Sequence, residues 1–177
     1  MLEMDLSVEV GSAPDAVWRI VGDFNGMPAW HPLVRASVLE PAEGGVGRRV
    51  TIGGDRAGYR ELTERLVSFD ASAREYAYTI IAGPVPFTDY VGRFHVVPAG
   101  TGRCTVEYRG RYKPGAGRSE SEASERIRTF YQAAFYNLPS SSERSAVGAA
   151  RRIPGPGIDV WRNRRGERKS TATKSRV

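Results

Sequence analysis

Apolar and polar residues alternate from the start of the chain. Met4, Leu6, Val8 and Val10 are separated by Asp5, Ser7 and Glu9, the period of a strand with one buried face. The period then changes. "SAPDAVWRIV" and the residues after it place Val17, Ile20, Val21 and Phe24 on one helical face. Ser12 is the expected N-cap, Pro14 fits the first turn, Asp15 stands as the capping-box acid, and the helix should end near Gly22. Alternation returns in "LVRASVLE", "GRRVTIGG", "YRELTERLVSFD", "YAYTIIAG", "TDYVGRFHVV" and "RCTVEYRGRYKP", with Gly- and Pro-containing turn segments between them. Short strands joined in this way predict an antiparallel meander.

The last periodic segment, "SESEASERIRTFYQAAFYNL", puts Ile127, Phe130, Tyr131, Ala134, Phe135 and Leu138 at steps of three and four. Acids fill its first turns and Arg126 and Arg128 follow, an order the helix dipole favours. The expected fold class is α+β. A curved antiparallel sheet of about seven strands wraps round a long C-terminal helix, with short helices after the first strand. A helix laid on a concave sheet leaves a cavity, because the two surfaces interdigitate incompletely.

After Leu138 the periodicity stops. Residues 1–138 are therefore expected to form the domain, and residues 139–177 a basic Pro/Gly/Ser/Arg-rich tail without stable order. The net charge of +6 at first suggests nucleic acid or membrane. Residues 1–138 sum to −1 and residues 139–177 to +7, so the excess sits in the tail. The run "RNRRGERK" reads as a solvated segment rather than a nucleic-acid contact. A reading in which the tail carries the function, with the domain docking to an acidic partner, stands third. No apolar run is long enough to span a bilayer, and the acidic N-terminus is no secretory signal, so a cytoplasmic location is the default. Cys104 is the single cysteine, which excludes an internal disulfide. No glycine-rich stretch opens a helix, and two histidines and one cysteine offer little to a metal, so neither cofactor nor metal is expected. The oligomeric state is left open.

The segments "APDAVWRIVGDFNGMPAWHPLV", "GGVGRRVTIGG", "ERLVSFD", "EYAYTIIAGPVPFTDYVG" and "TVEYRGRY" resemble the bacterial polyketide cyclase/dehydrase-like branch of the START/Bet v 1-like (SRPBCC) superfamily. The likeness covers roughly residues 4–138 and is nearest in pattern to lachrymatory-factor-synthase-like proteins. It implies a helix-grip fold round a deep hydrophobic cavity, and a small polyketide-, aromatic- or lipid-like ligand. Cofactor-free cyclisation, dehydration or isomerisation is the chemistry such a cavity hosts; a non-catalytic lipid or metabolite carrier is the alternative. In that fold the loop after the first helices caps the cavity mouth. Phe24, Trp30 and His31, in the Gly- and Pro-punctuated "GDFNGMPAWHP", are then expected to face ligand as lid or wall. The chain departs from the family pattern at Pro139, where the tail begins.

Strand parity selects the polar residues that share a face with apolar ones. Glu64 alternates with Leu62 and Leu66, Arg48 with Val50 and Ile52, and Tyr90 with Gly92, Phe94 and Val96. An inward carboxylate among apolar neighbours titrates high and suits proton transfer. An inward Arg holds an oxyanion, and an inward Tyr donates to one. The resemblance points to the same three residues as catalytic, firmly for Glu64 in "ERL" and Tyr90 in "DYV". It points less directly to Arg48, because "GGVGRRV" is shorter than the family spacing and leaves Arg49 as fallback. The bland rival is an ion pair that shapes the cavity and catalyses nothing. Tyr78 and Tyr108 on neighbouring strands, and Phe130 and Ala134 on the helix, complete the expected ligand wall.

Overall fold

The structure, a computed structural model, describes residues 1–54 and 58–138. The chain divides into two units, Met1–Arg144 and Ser145–Val177. The expected tail and its basic run lie outside the described residues.

The N-terminal alternation becomes β1 (Leu2–Val10), followed by α1 (Pro14–Val21) and a single 3-10 turn, Met27–Ala29. Then come β2 (Val34–Ala42), β3 (Gly45–Gly54), β4 (Gly58–Asp70), β5 (Glu75–Ala82), β6 (Phe87–Pro98) and β7 (Cys104–Pro114). The chain closes on α2 (Glu120–Tyr136). The seven strands make one antiparallel sheet in the order β1-β7-β6-β5-β4-β3-β2, so the meander is continuous and β1 returns to pair with β7. This is the α+β architecture that the periodicities predict.

The caps differ in detail. Ala13, not Ser12, is the N-cap of α1, and no side chain caps it. Ser12 is buried in the turn after β1, and Asp15 pairs with Arg74 at 2.7 Å instead of closing a capping box. The capping box belongs to α2. There the Ser119 side chain accepts from the Glu122 N–H, and the Glu122 carboxylate accepts from the Ser119 N–H.

α2 lays Ala123, Ile127, Tyr131, Ala134 and Phe135 against the concave face of the sheet. From below, that face offers Tyr76, Tyr78, Tyr90, Phe94, Val96, Val106, Tyr108 and Tyr112, all buried. Two glycines make the room this aromatic layer needs. Gly92 and Gly110 are cross-strand partners on β6 and β7. A Cβ on Gly92 would lie 2.7 Å from the Tyr78 ring, and one on Gly110 would lie 2.5 Å from the Tyr108 hydroxyl. Larger residues here would push the rings out of their layer.

Candidate functional site

Arg48 and Glu64 stand directly opposite each other in the register of β3 and β4. Both point inward, 0% and 4% exposed. Arg48 Nε donates to Glu64 Oε2 at 2.5 Å, and Nη2 lies 2.5 Å from the same oxygen without meeting hydrogen-bond geometry. Nη1 donates to the carbonyl of Phe24, whose ring also lies under the guanidinium, 4.1 Å from Cζ. Burial pushes the Glu64 carboxyl above the usual carboxylate range, and Arg48 offsets this only in part. Glu64 thus takes up a proton at higher pH than an exposed glutamate.

Beside this pair, four tyrosine hydroxyls meet. Tyr90 lies 2.9 Å from Tyr78, 2.8 Å from Tyr108 and 2.8 Å from Tyr131, and Tyr78 also bonds to Tyr131. Four hydroxyls carry four protons for these four contacts, so the cluster satisfies itself. Tyr108 and Tyr131 stack at 3.8 Å between ring centroids. Burial raises the pKa of all four, which keeps them as neutral donors rather than bases.

An inner cavity of about 50 Å³ lies between the sheet and α2. Glu64, Tyr90 and Tyr131 reach it, and Val50, Leu62, Ile80, Phe87, Ile127 and Phe130 are among its apolar walls. A buried water needs about 10–15 Å³, so the space holds a few waters; pockets that bind drug-sized ligands run to about 300–1,000 Å³. The deep cavity implied by the resemblance is therefore largely filled by the protein's own aromatic rings.

The sequence-predicted residues separate into those that line the inner cavity, those that stand behind it and those buried in the core. Glu64, Tyr90 and Phe130 line the inner cavity. Arg48, Tyr78 and Tyr108 stand behind it, bonded to residues that do. Phe24, Trp30 and Ala134 are buried core residues that line none of the described cavities, so the loop after α1 does not put its aromatics at a mouth. Trp30 packs edge-on to Phe94 at 5.7 Å.

His31 is also buried, 1% exposed, and its ring lies 3.9 Å from that of Phe130. Nδ1 accepts from the Leu33 N–H at 3.2 Å, and Nε2 meets hydrogen-bond geometry with no atom among the described residues. Burial, reinforced by Arg48, lowers its pKa from 6.5 to about 3. That shift favours the neutral imidazole at physiological pH. Tyr131, Arg60 and Arg126 were absent from the expected site. The apolar period of the helix contains Tyr131, but the meeting of its hydroxyl with three strands depends on the packed sheet.

The family model for polyketide cyclase / dehydrase and lipid transport proteins matches residues 1–143. The chain belongs to that family, and it has the helix-grip fold of the START/Bet v 1-like superfamily. A solved structure of a Thermobifida fusca protein is 32% identical, with a TM-score of 0.64, covering 86% of this chain and 98% of its own. XoxI from Bacillus cereus is 29% identical with a TM-score of 0.70, covering 78% of this chain and 93% of its own. The Zhui aromatase/cyclase from Streptomyces sp. R1128 shares the fold at 16% identity, with a TM-score of 0.66 and coverage of 85% and 99%. No curated protein matches the chain. Among the described residues, no helix is long and apolar enough to cross a membrane.

Proposed function

We propose that the protein binds a small apolar polyketide-, aromatic- or lipid-like molecule between the sheet and α2, and converts it by cofactor-free proton transfer at Glu64. The observation that carries this reading is the convergence of the buried Glu64 carboxyl group and the Tyr90 and Tyr131 hydroxyls on a single apolar cavity. Glu64 is the acid-base group, because burial brings its pKa toward the operating range. Arg48 positions it and holds one carboxylate oxygen, turning proton exchange to the other. Tyr90 and Tyr131 stay protonated, and when an oxyanion forms on an enolising or cyclising substrate each turns its hydroxyl proton from the cluster toward it. The substrate makes room by moving Phe130, which is only partly buried and forms one wall.

This set suits cyclisation, dehydration or isomerisation, where shape folds the substrate and one residue relays the proton. Family membership and the fold shared with an aromatase/cyclase support the same class. A carrier without turnover is the second reading, favoured by the closed Arg48–Glu64 pair and the self-satisfied hydroxyls.

Native mass spectrometry of protein purified gently from cells, followed by identification of the released molecule, tests the proposal. The expected result is a stoichiometric apolar adduct that the wild type converts and Glu64→Gln binds without converting. An adduct that neither protein changes establishes the carrier. Protein that carries no adduct and takes up no apolar alcohol overturns both.

A further inference from the structure

The inner cavity opens toward solvent beside two arginines that no other described residue engages. Arg60 on β4 and Arg126 on α2 both line the inner cavity, and both line two grooves outside it, of about 240 and 970 Å³. The larger groove is electrically mixed: Arg118 approaches Glu122 at 3.6 Å, and Thr129 donates to Glu125. The smaller groove differs. Ile52, Arg60, Arg126, Thr129 and Phe130 are among its walls, and its described lining holds two cations and no acid. Glu61, which lines the inner cavity, is in reach of the Thr51 hydroxyl at 3.5 Å. Among the described residues neither Arg60 nor Arg126 has an ion-pair or hydrogen-bond partner.

Ile52, Arg60, Arg126 and Phe130 are common to the small groove and the inner cavity, so the two share a wall. Along β4 that wall runs from Arg60 through Leu62 to Glu64, about 13 Å for four residues of extended strand. A cationic end, an apolar middle and an acid-base end lie in sequence along one line.

We infer that the ligand is an anionic amphiphile: its carboxylate or phosphate lies between Arg60 and Arg126 in the small groove, and its apolar body enters the inner cavity toward Glu64. This rests on the proposed binding site. It adds which end of the ligand enters first and which chemical class is chosen. Two unpaired guanidinium groups on facing elements repel each other until an anion bridges them, and each offers the paired donors that match a carboxylate or phosphate. The same charges hold the anion away from Glu64, which keeps the acid-base group next to the apolar part of the ligand.

Isothermal titration of the full chain with octanoate, octyl phosphate, octanol and inorganic phosphate tests this. The expected result is that octanoate or octyl phosphate binds at least about tenfold more tightly than octanol. Inorganic phosphate alone should bind more weakly than either. In the double variant R60Q/R126Q the anionic advantage should vanish while octanol binds as before, and raised salt should weaken the anions alone. The stronger of the two anions tells carboxylate from phosphate. If octanol binds as well as both anions, or if the advantage survives in R60Q/R126Q, the anion site is wrong and the cavity reading stands. If nothing with an octyl chain binds, both fall together.

Discussion

On the outer face of the sheet Arg109 reaches Asp5 at 2.5 Å, Arg103 reaches Glu9 at 2.7 Å, and Arg111 reaches Glu3 at 3.2 Å, every partner open to solvent. On the inner face Arg48 reaches Glu64 at the same 2.5 Å with water excluded. The distances are alike and the energetics are not. An exposed pair is screened and exchanges its partner for water at little loss. A buried pair has already lost its hydration, so each charge depends on the other. The outer ladder keeps the convex face wet. The inner pair adds little net stability over an apolar substitute, which makes its place on a cavity wall the more informative fact.

Removing one half of the inner pair should give the largest effect. Arg48→Leu leaves Glu64 buried without its counter-charge and should destabilise the protein by about 3–5 kcal/mol, read from urea unfolding. Adding Glu64→Leu should recover most of that loss. A double variant no more stable than Arg48→Leu would mean that packing against Phe24, not charge, is what the site depends on.

The next effect is a dependence on pH. The folded pKa of His31 lies near 3 against 6.5 unfolded, so from pH 6.5 downward the unfolded chain binds a proton that the folded chain refuses. Stability should fall as pH falls through that window. Glu64, whose folded pKa is raised, contributes in the opposite sense: its share is present at low pH and lost as pH rises. The two are separated by comparing the wild type with His31→Gln. Between pH 6.5 and 5 the wild type should lose about 2 kcal/mol more than the variant. Parallel curves would place a charged histidine in the native state.

The smallest effect belongs to the outer face. Arg103→Gln should leave the urea midpoint unchanged within error and insensitive to added salt. A clear loss would show that the outer ladder acts as a network, and the contrast between the two faces would narrow.

The strands, the long helix and the inward parity of Arg48, Glu64 and Tyr90 were legible because a strand repeats every two residues and a helix every three to four. Complementary charges on the outer faces of β1 and β7 follow from the same alternation. The error at "GDFNGMPAWHP" is equally physical. Its glycines and prolines signal a loop, but a loop signal carries no information on burial, and the structure buries Phe24 and Trp30 against inward rings of the sheet and His31 against Phe130 of α2. Ser12 shows the same limit, since Ala13 at the next position has the extended backbone a cap requires.

By itself, then, the sequence determined which elements form and which face of each strand turns inward, since both are set by local period and turn chemistry. The register that brings Arg48 opposite Glu64, the meeting of Tyr131 with three strand tyrosines, the small size of the inner cavity and the convergence of Arg60 with Arg126 were decided by tertiary structure. Each joins residues distant in the chain. Their distances depend on how the sheet curves and how deep α2 sits, which no local periodicity encodes.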